Sequence, residues 1–159
     1  MSGSGNFATD ILAIGGTAIA IGNAALLLTG PSGSGKSDLA LRMIDGGARL
    51  ISDDRVELVI EADRLCCRAP GAMPSSLLGR IEVRGIGIVP APRTTGATPL
   101  QWLVELVPAD AVERMPAAET RAFLGHAVPV LRLAAFEAST AVKLRLAAAC
   151  GPGLIMGRE

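Results

Sequence analysis

Eight consecutive residues, Gly30, Pro31, Ser32, Gly33, Ser34, Gly35, Lys36 and Ser37, fit the pattern G-x-x-x-x-G-K-[ST] of a phosphate-cradling loop (P-loop). Each fixed position answers a need of a polyphosphate. The glycines let the backbone turn tightly, so that N–H groups face phosphate oxygens. A helix that starts just after the loop adds the positive end of its dipole. Lys36 is a point charge long enough to reach β- and γ-phosphates, and the Ser37 hydroxyl is a ligand for Mg²⁺. All eight residues are therefore candidate nucleotide-binding residues.

Nucleotide-bound Mg²⁺ usually takes one or two carboxylates besides the loop hydroxyl. Asp53-Asp54 is the natural source. Two adjacent carboxylates can divide labour, one supporting the metal and the other taking the proton of an attacking hydroxyl. Alone, an Asp-Asp pair reads as a solvated turn; the loop upstream is what makes it a candidate site. Glu82 and Arg84 form the next constellation, within Glu82-Val83-Arg84-Gly85-Ile86-Gly87. Two apart on an extended segment, they face one side and suit metal and phosphate respectively. An ion pair on a strand surface is the competing reading.

These residues need elements to hold them. Ala24–Thr29 is a short apolar run that reads as a buried strand, and Leu39, Ala40, Met43 and Ile44 recur at helical spacing after the loop. Gly46-Gly47 then stops that helix. Thr17–Ile21 and Ala24–Thr29 read as a hairpin around Gly22-Asn23. Arg49–Ser52 reads as a strand that ends at Asp53-Asp54. If it runs parallel to the strand before the loop, both end on one sheet edge, where ligands bind in open α/β sheets. Val56–Ile60 and Leu65–Arg68 form two strands around a turn at 61–63. Ile81–Val89 is apolar but broken by glycines, and 90–99, rich in Pro, Thr and Gly, reads as a mobile loop. Gln101–Val107 and Val130–Leu133 are further strands, and Glu137–Cys150 is the last helix, stopped by Gly151-Pro152. The expected fold class is α/β, a P-loop domain with a mixed sheet and few helices. Residues 1–10 read as a flexible end before a single domain over 11–159.

Composition narrows the partners. Of 159 residues half are apolar, enough for a substantial core, and 15 basic residues balance 15 acidic ones. Charge gives no argument for nucleic acid or an anionic membrane, and with one Trp, three Phe and no Tyr, stacking platforms for single strands are not expected. Ile11 to Gly35 carries no charge, long enough for a span. Its internal turns instead favour strands, and no basic residue precedes it as in a secretory signal. Cys66, Cys67 and Cys150 are an odd set with only His126 to join them, which speaks against disulfides and zinc and for reduced thiols in a cytoplasmic protein. His126 follows Gly125 and reads as a loop or surface residue.

The run Gly30–Ile44 continuing through Gly47–Asp54, the segment Ile81-Glu-Val-Arg-Gly-Ile-Gly-Ile88, and Phe136-Glu-Ala-Ser139 with Lys143 together resemble the catalytic domain of bacterial HPr kinase/phosphorylase in its short alphaproteobacterial form. The resemblance covers nearly all of residues 12–150. It implies a fold like that of the phosphoenolpyruvate carboxykinases and a homo-oligomer. It also implies an ATP- and Mg²⁺-dependent kinase acting on a serine of HPr, the phosphocarrier of the sugar phosphotransferase system. The reverse reaction, attack of inorganic phosphate on phosphoserine to give pyrophosphate, is implied with it. On that resemblance Asp53 is the acid/base, Asp54, Glu82 and Ser37 serve the metal, and Arg84 stabilises phosphate charge. Gly15 stands where the family typically has a histidine. Two other readings compete: a small-molecule kinase or NTPase, with Arg93 as a lid arginine, and a nucleotide-binding regulatory domain, suggested by Gly15.

Overall fold

A computed structural model describes residues 10–155. The expected flexible end falls almost wholly outside these residues. Among them are eleven strands and two α-helices. The strands are β1 (Ile11–Gly15), β2 (Thr17–Ile21), β3 (Ala24–Thr29), β4 (Arg49–Ser52), β5 (Arg55–Glu61), β6 (Arg64–Arg68), β7 (Arg80–Val83), β8 (Gly87–Pro90), β9 (Thr98–Leu106), β10 (Thr120–Phe123) and β11 (His126–Leu133); the helices are α1 (Lys36–Asp45) and α2 (Thr140–Cys150). Nine strands share one sheet whose main path runs β1-β5-β6-β9-β3-β2-β4, with β11 joined to β9 and β10 to β11; β7 and β8 make a separate hairpin.

The central strands are apolar throughout because both of their faces are covered. On β3, Leu26 and Leu28 pack toward the helices with Leu39, Met43, Trp102 and Leu144. Ala25 and Leu27 point the other way, into a second core with Ile51, Val56, Leu58, Leu65, Cys67 and Leu103. This second core joins side chains of β2, β3 and β4 to those of β5 and β6. The sheet therefore curls, and its far strands fold back over its own inner face. The charge-free stretch from Ile11 to Gly35 is absorbed by three strands of this sheet and the loop that follows them. Among the described residues no helix is long and apolar enough to cross a membrane.

The curl corrects the expected fold class. An α/β P-loop domain resembling the phosphoenolpyruvate carboxykinases is not what forms. The chain builds a strand-dominated, half-barrel-like sheet with two helices on its outer face. The direct connection of β4 to β5, with only Asp53 and Asp54 between them, sends the chain onto the inner face. Local periodicity carries no record of that pairing. Segment 90–99 departs from expectation as well. Leu50 N donates to Pro92 O (2.7 Å) and Thr94 N donates to Leu50 O (3.0 Å), so its middle lies along β4 as an added bridge. The strands β1 and β10 were not expected.

Three strand ends set up the site. β11 and β3 both run parallel to β9, on its opposite sides; β2 is antiparallel to β3 and to β4, so β4 runs with β3. The C-terminal ends of β11, β3 and β4 thus share one edge, in that order across it. The loop 30–35 leaves β3, Asp53-Asp54 leaves β4, and segment 134–139 leaves β11. α2 is fastened beside them, with Trp102 Nε1 donating to Ala147 O (3.1 Å) and Gln101 Nε2 to Ala148 O (3.2 Å).

Candidate functional site

The loop after β3 owes its shape to glycine. Gly33 (φ 80°) and Gly35 (φ 97°) are left-handed, and Ser34 N donates to Pro31 O at 3.0 Å. A Cβ on Gly35 would stand 2.7 Å from Ala135 Cβ and 2.8 Å from Phe136 Cζ, so no other residue fits there without displacing the 134–139 segment. α1 starts at once, Leu39 N donating to Gly35 O (2.9 Å). Lys36 folds over the loop, its Nζ donating to Gly30 O (2.7 Å) and Pro31 O (3.0 Å).

Asp53 meets this loop directly. Its Oδ1 accepts from Ser37 Oγ at 3.0 Å and from Thr17 Oγ1 at 2.9 Å. Thr17 is fully buried, so one of the two hydroxyls that fix the carboxylate cannot move away. Asp54 has φ 67°, a left-handed conformation that aspartate tolerates, and its carbonyl accepts from Gly16 N at 3.0 Å.

Loop, carboxylates and hairpin enclose one cleft of about 390 Å³. Ser32, Gly33, Gly35, Lys36, Ser37 and Asp38 line it, with Leu41, Asp54, Glu82, Val83, Arg84 and Phe136. Glu82 lies on β7 and Arg84 in the β7–β8 turn, rather than on one extended segment, yet both face this cleft. A second hollow of about 260 Å³ shares Asp54 and Glu82 with the first and adds Asp53, Arg55, Arg80, Leu77 and Ile88. The acidic groups thus stand between two recesses. The Asp54 carboxyl is raised above its ordinary pKa, first by partial removal from water, then by the charges of Asp53 and Glu82, with Lys36 opposing. Clustered negative charge of this kind favours a cation.

The oxygen donors Ser37, Asp54 and Glu82, with Asp53 behind Ser37, suit a hard divalent ion such as Mg²⁺. Among the described residues no three acidic, His or Cys side chains are gathered into a self-sufficient ion cage. Mg²⁺ is commonly held by one or two carboxylates together with substrate phosphates, which matches this sparser set.

Of the expected site residues, Ser32, Gly33, Gly35, Lys36, Ser37, Asp54, Glu82 and Arg84 line one cleft; Asp53 is bonded to Ser37 and lines the adjoining recess, and Gly30, Pro31 and Ser34 shape the loop without lining either. Gly15, the last residue of β1, pairs with Arg55, and a Cβ there meets nothing within 4 Å. His126 opens β11, with its ring nitrogens 3.1 Å from Leu124 O and 3.2 Å from Asp63 O, a role in turn structure. Arg93 packs its side chain close to Gly79 and lines neither recess. Sequence reasoning passed over Thr17, Arg42 and the placement of Phe136. Thr17 carried a signal: a hydroxyl within an otherwise apolar buried strand needs a partner.

The sequence and the fold both have relatives. A model of the family described as HPr Serine kinase C-terminal domain matches residues 6–138. HPr kinase/phosphorylase of Pediococcus pentosaceus is 36% identical over 110 residues, covering 67% of this chain and 34% of that protein. The enzyme of the same name from Levilactobacillus brevis is 39% identical over 82 residues, 52% of this chain and 25% of that protein. The chain thus spans a minor part of the length of these relatives. A solved structure of the HPr(Ser) kinase/phosphatase from Coxiella burnetii superposes with a TM-score of 0.69 at 24% identity, over 86% of this chain and 87% of that one. At that identity the likeness shows the fold, a curled sheet common to the two chains. By the extent of the family match, the chain belongs to the HPr serine kinase C-terminal domain family.

Proposed function

We propose that this chain transfers the γ-phosphoryl group of ATP to a serine of an HPr-type phosphocarrier protein, and runs the reverse reaction with inorganic phosphate. The observation that carries the reading is the contact of Ser37 with Asp53 beneath the glycine loop, in a chain of this family. Loop N–H groups and Lys36 would hold the β- and γ-phosphates. Ser37, Asp54 and Glu82 would hold Mg²⁺, which when bound neutralises charge on the transferring phosphates. Arg84, on the cleft wall, would stabilise charge on the phosphoryl oxygens. The acceptor serine would enter from the second recess, whose rim exposes Leu77 and Ile88.

In the forward direction the serine oxygen bonds to the γ-phosphorus. The bond from that phosphorus to the bridging oxygen breaks, ADP leaves, and Asp53 takes the serine proton. In reverse, an oxygen of inorganic phosphate bonds to the phosphorus of phosphoserine. The serine oxygen leaves with a proton from Asp53, and pyrophosphate departs. Thr17 and Ser37 orient Asp53 for either direction.

Purified protein with MgATP and HPr should raise the mass of HPr by one phosphoryl group, located on a serine by tandem mass spectrometry. Adding inorganic phosphate in excess should remove it and release pyrophosphate. An HPr left unmodified, under conditions where a relative such as the Pediococcus pentosaceus enzyme modifies it, contradicts the proposal.

A further inference from the structure

Phe136 is 70% exposed, an unusual state for a phenylalanine whose backbone neighbours are both held by hydrogen bonds. The Arg42 guanidinium donates to the carbonyls of both flanking residues, Ala135 and Glu137, the latter at 3.3 Å. Asp38 holds Arg42 in turn, accepting from Nε at 3.0 Å. The ring edge rests on Gly35, where even a methyl group would clash. A rigid aromatic face is thus built onto the mouth of the loop and left open to the cleft.

The order of strand ends says which part of a nucleotide this face would meet. Asp53 and Asp54 leave β4, on one side of the loop; Phe136 leaves β11, on the other. Acidic groups and Arg84 mark the end where phosphoryl transfer takes place. The opposite end carries Phe136, with Leu41 of α1 beside it in the same cleft. A nucleotide whose terminal phosphates lie on Lys36 would extend its base toward that apolar end.

We propose that Phe136 is the platform on which the nucleobase stacks, with Leu41 as an apolar neighbour; this rests on the nucleotide reading of the same cleft. An aromatic face accepts any base, because every base has a π-face and stacking reads no hydrogen-bond pattern. Two charged side chains of α1 near it, Asp38 and Arg42, are engaged with each other. Donor selection would therefore rest on the polyphosphate and on stacking area, with ATP and GTP bound comparably.

The test compares MgATP, MgGTP and magnesium tripolyphosphate by calorimetric titration of the full chain. Tripolyphosphate reports the phosphate cradle without a base. The wild type should bind ATP and GTP within about threefold of each other, and both about tenfold or more tighter than tripolyphosphate, the order expected for one stacked base. Phe136→Ala should lose that margin and keep its tripolyphosphate affinity; Phe136→Trp should restore it, with indole fluorescence quenched by ATP and not by tripolyphosphate. A Phe136→Ala protein that keeps the full margin, or loses affinity for all three alike, overturns the platform while leaving the nucleotide reading intact. A wild type that binds none of the three overturns both.

Discussion

At the residue scale the account rests on few side chains, each with a checkable role. In the proposed reaction Lys36 would supply charge to the phosphates, so Lys36→Met should lower phosphoryl transfer by about a hundredfold or more, measured as initial rate with MgATP. Gly35→Ala sets a Cβ against Ala135 and Phe136 at a φ of 97°. It should cost about 1–3 kcal/mol in chemical denaturation and distort the loop. Asp54 behaves in the opposite way. Its folded-state pKa is raised, so the folded chain binds more protons than the unfolded one between the ordinary carboxylate value and the raised one. Stability therefore falls as pH rises through that window, and the penalty is complete at neutral pH. Asp54→Asn suits the left-handed backbone and should raise the melting temperature at pH 7 while weakening Mg²⁺-dependent turnover. A melting temperature that drops at pH 7 and not at pH 3 would contradict this. Gly15→His meets open space, so the variant should fold with unchanged stability; a changed pH–rate profile would show that position 15 acts on the site.

At the element scale, much was legible in the chain because local chemistry decides it. The loop pattern, its strand and its helix appear where spacing and glycine place them, with α1 ending at Asp45 before Gly46-Gly47. The parallel run of β3 and β4 was only a condition in the sequence; β2, antiparallel to both, supplies it and brings Asp53 to Ser37. The missed elements lack a core-facing pattern of their own. β10 is largely exposed, and β1 is a half-exposed strand paired, among the described residues, with β5 alone. The curl was not legible either, since it depends on β6 and β11 sharing one side of β9, a long-range fact. For Phe136 the sequence offered an aromatic but not the clamp; Arg42 bonds residues 93 and 95 positions away. The docking of α2 is testable at this scale. Trp102→Phe removes the buried hydrogen bond to Ala147 O and should cost about 0.5–1.5 kcal/mol in equilibrium unfolding, with nucleotide affinity unchanged.

At the scale of the whole molecule, two cores on the faces of one curled sheet hold a rigid edge at which three strand ends converge. The cysteines report on that architecture. Cys67 is fully buried and its thiol is pushed up to about 12, Cys66 is nearly buried, and Cys150 is exposed. One thiol should react rapidly with a colorimetric disulfide reagent, and the other two only as the protein unfolds. The central claim is that the edge formed by the loop 30–37 and Asp53 performs phosphoryl transfer to a protein serine. It is tested most directly by quantifying phosphoserine on HPr by mass spectrometry, using wild type and Asp53→Asn whose ATP affinities have been measured. The account predicts that wild type modifies one serine, and that Asp53→Asn still binds ATP but transfers about a hundredfold or more slowly. Undiminished transfer by Asp53→Asn, or a wild type that binds ATP and never modifies HPr, would contradict it.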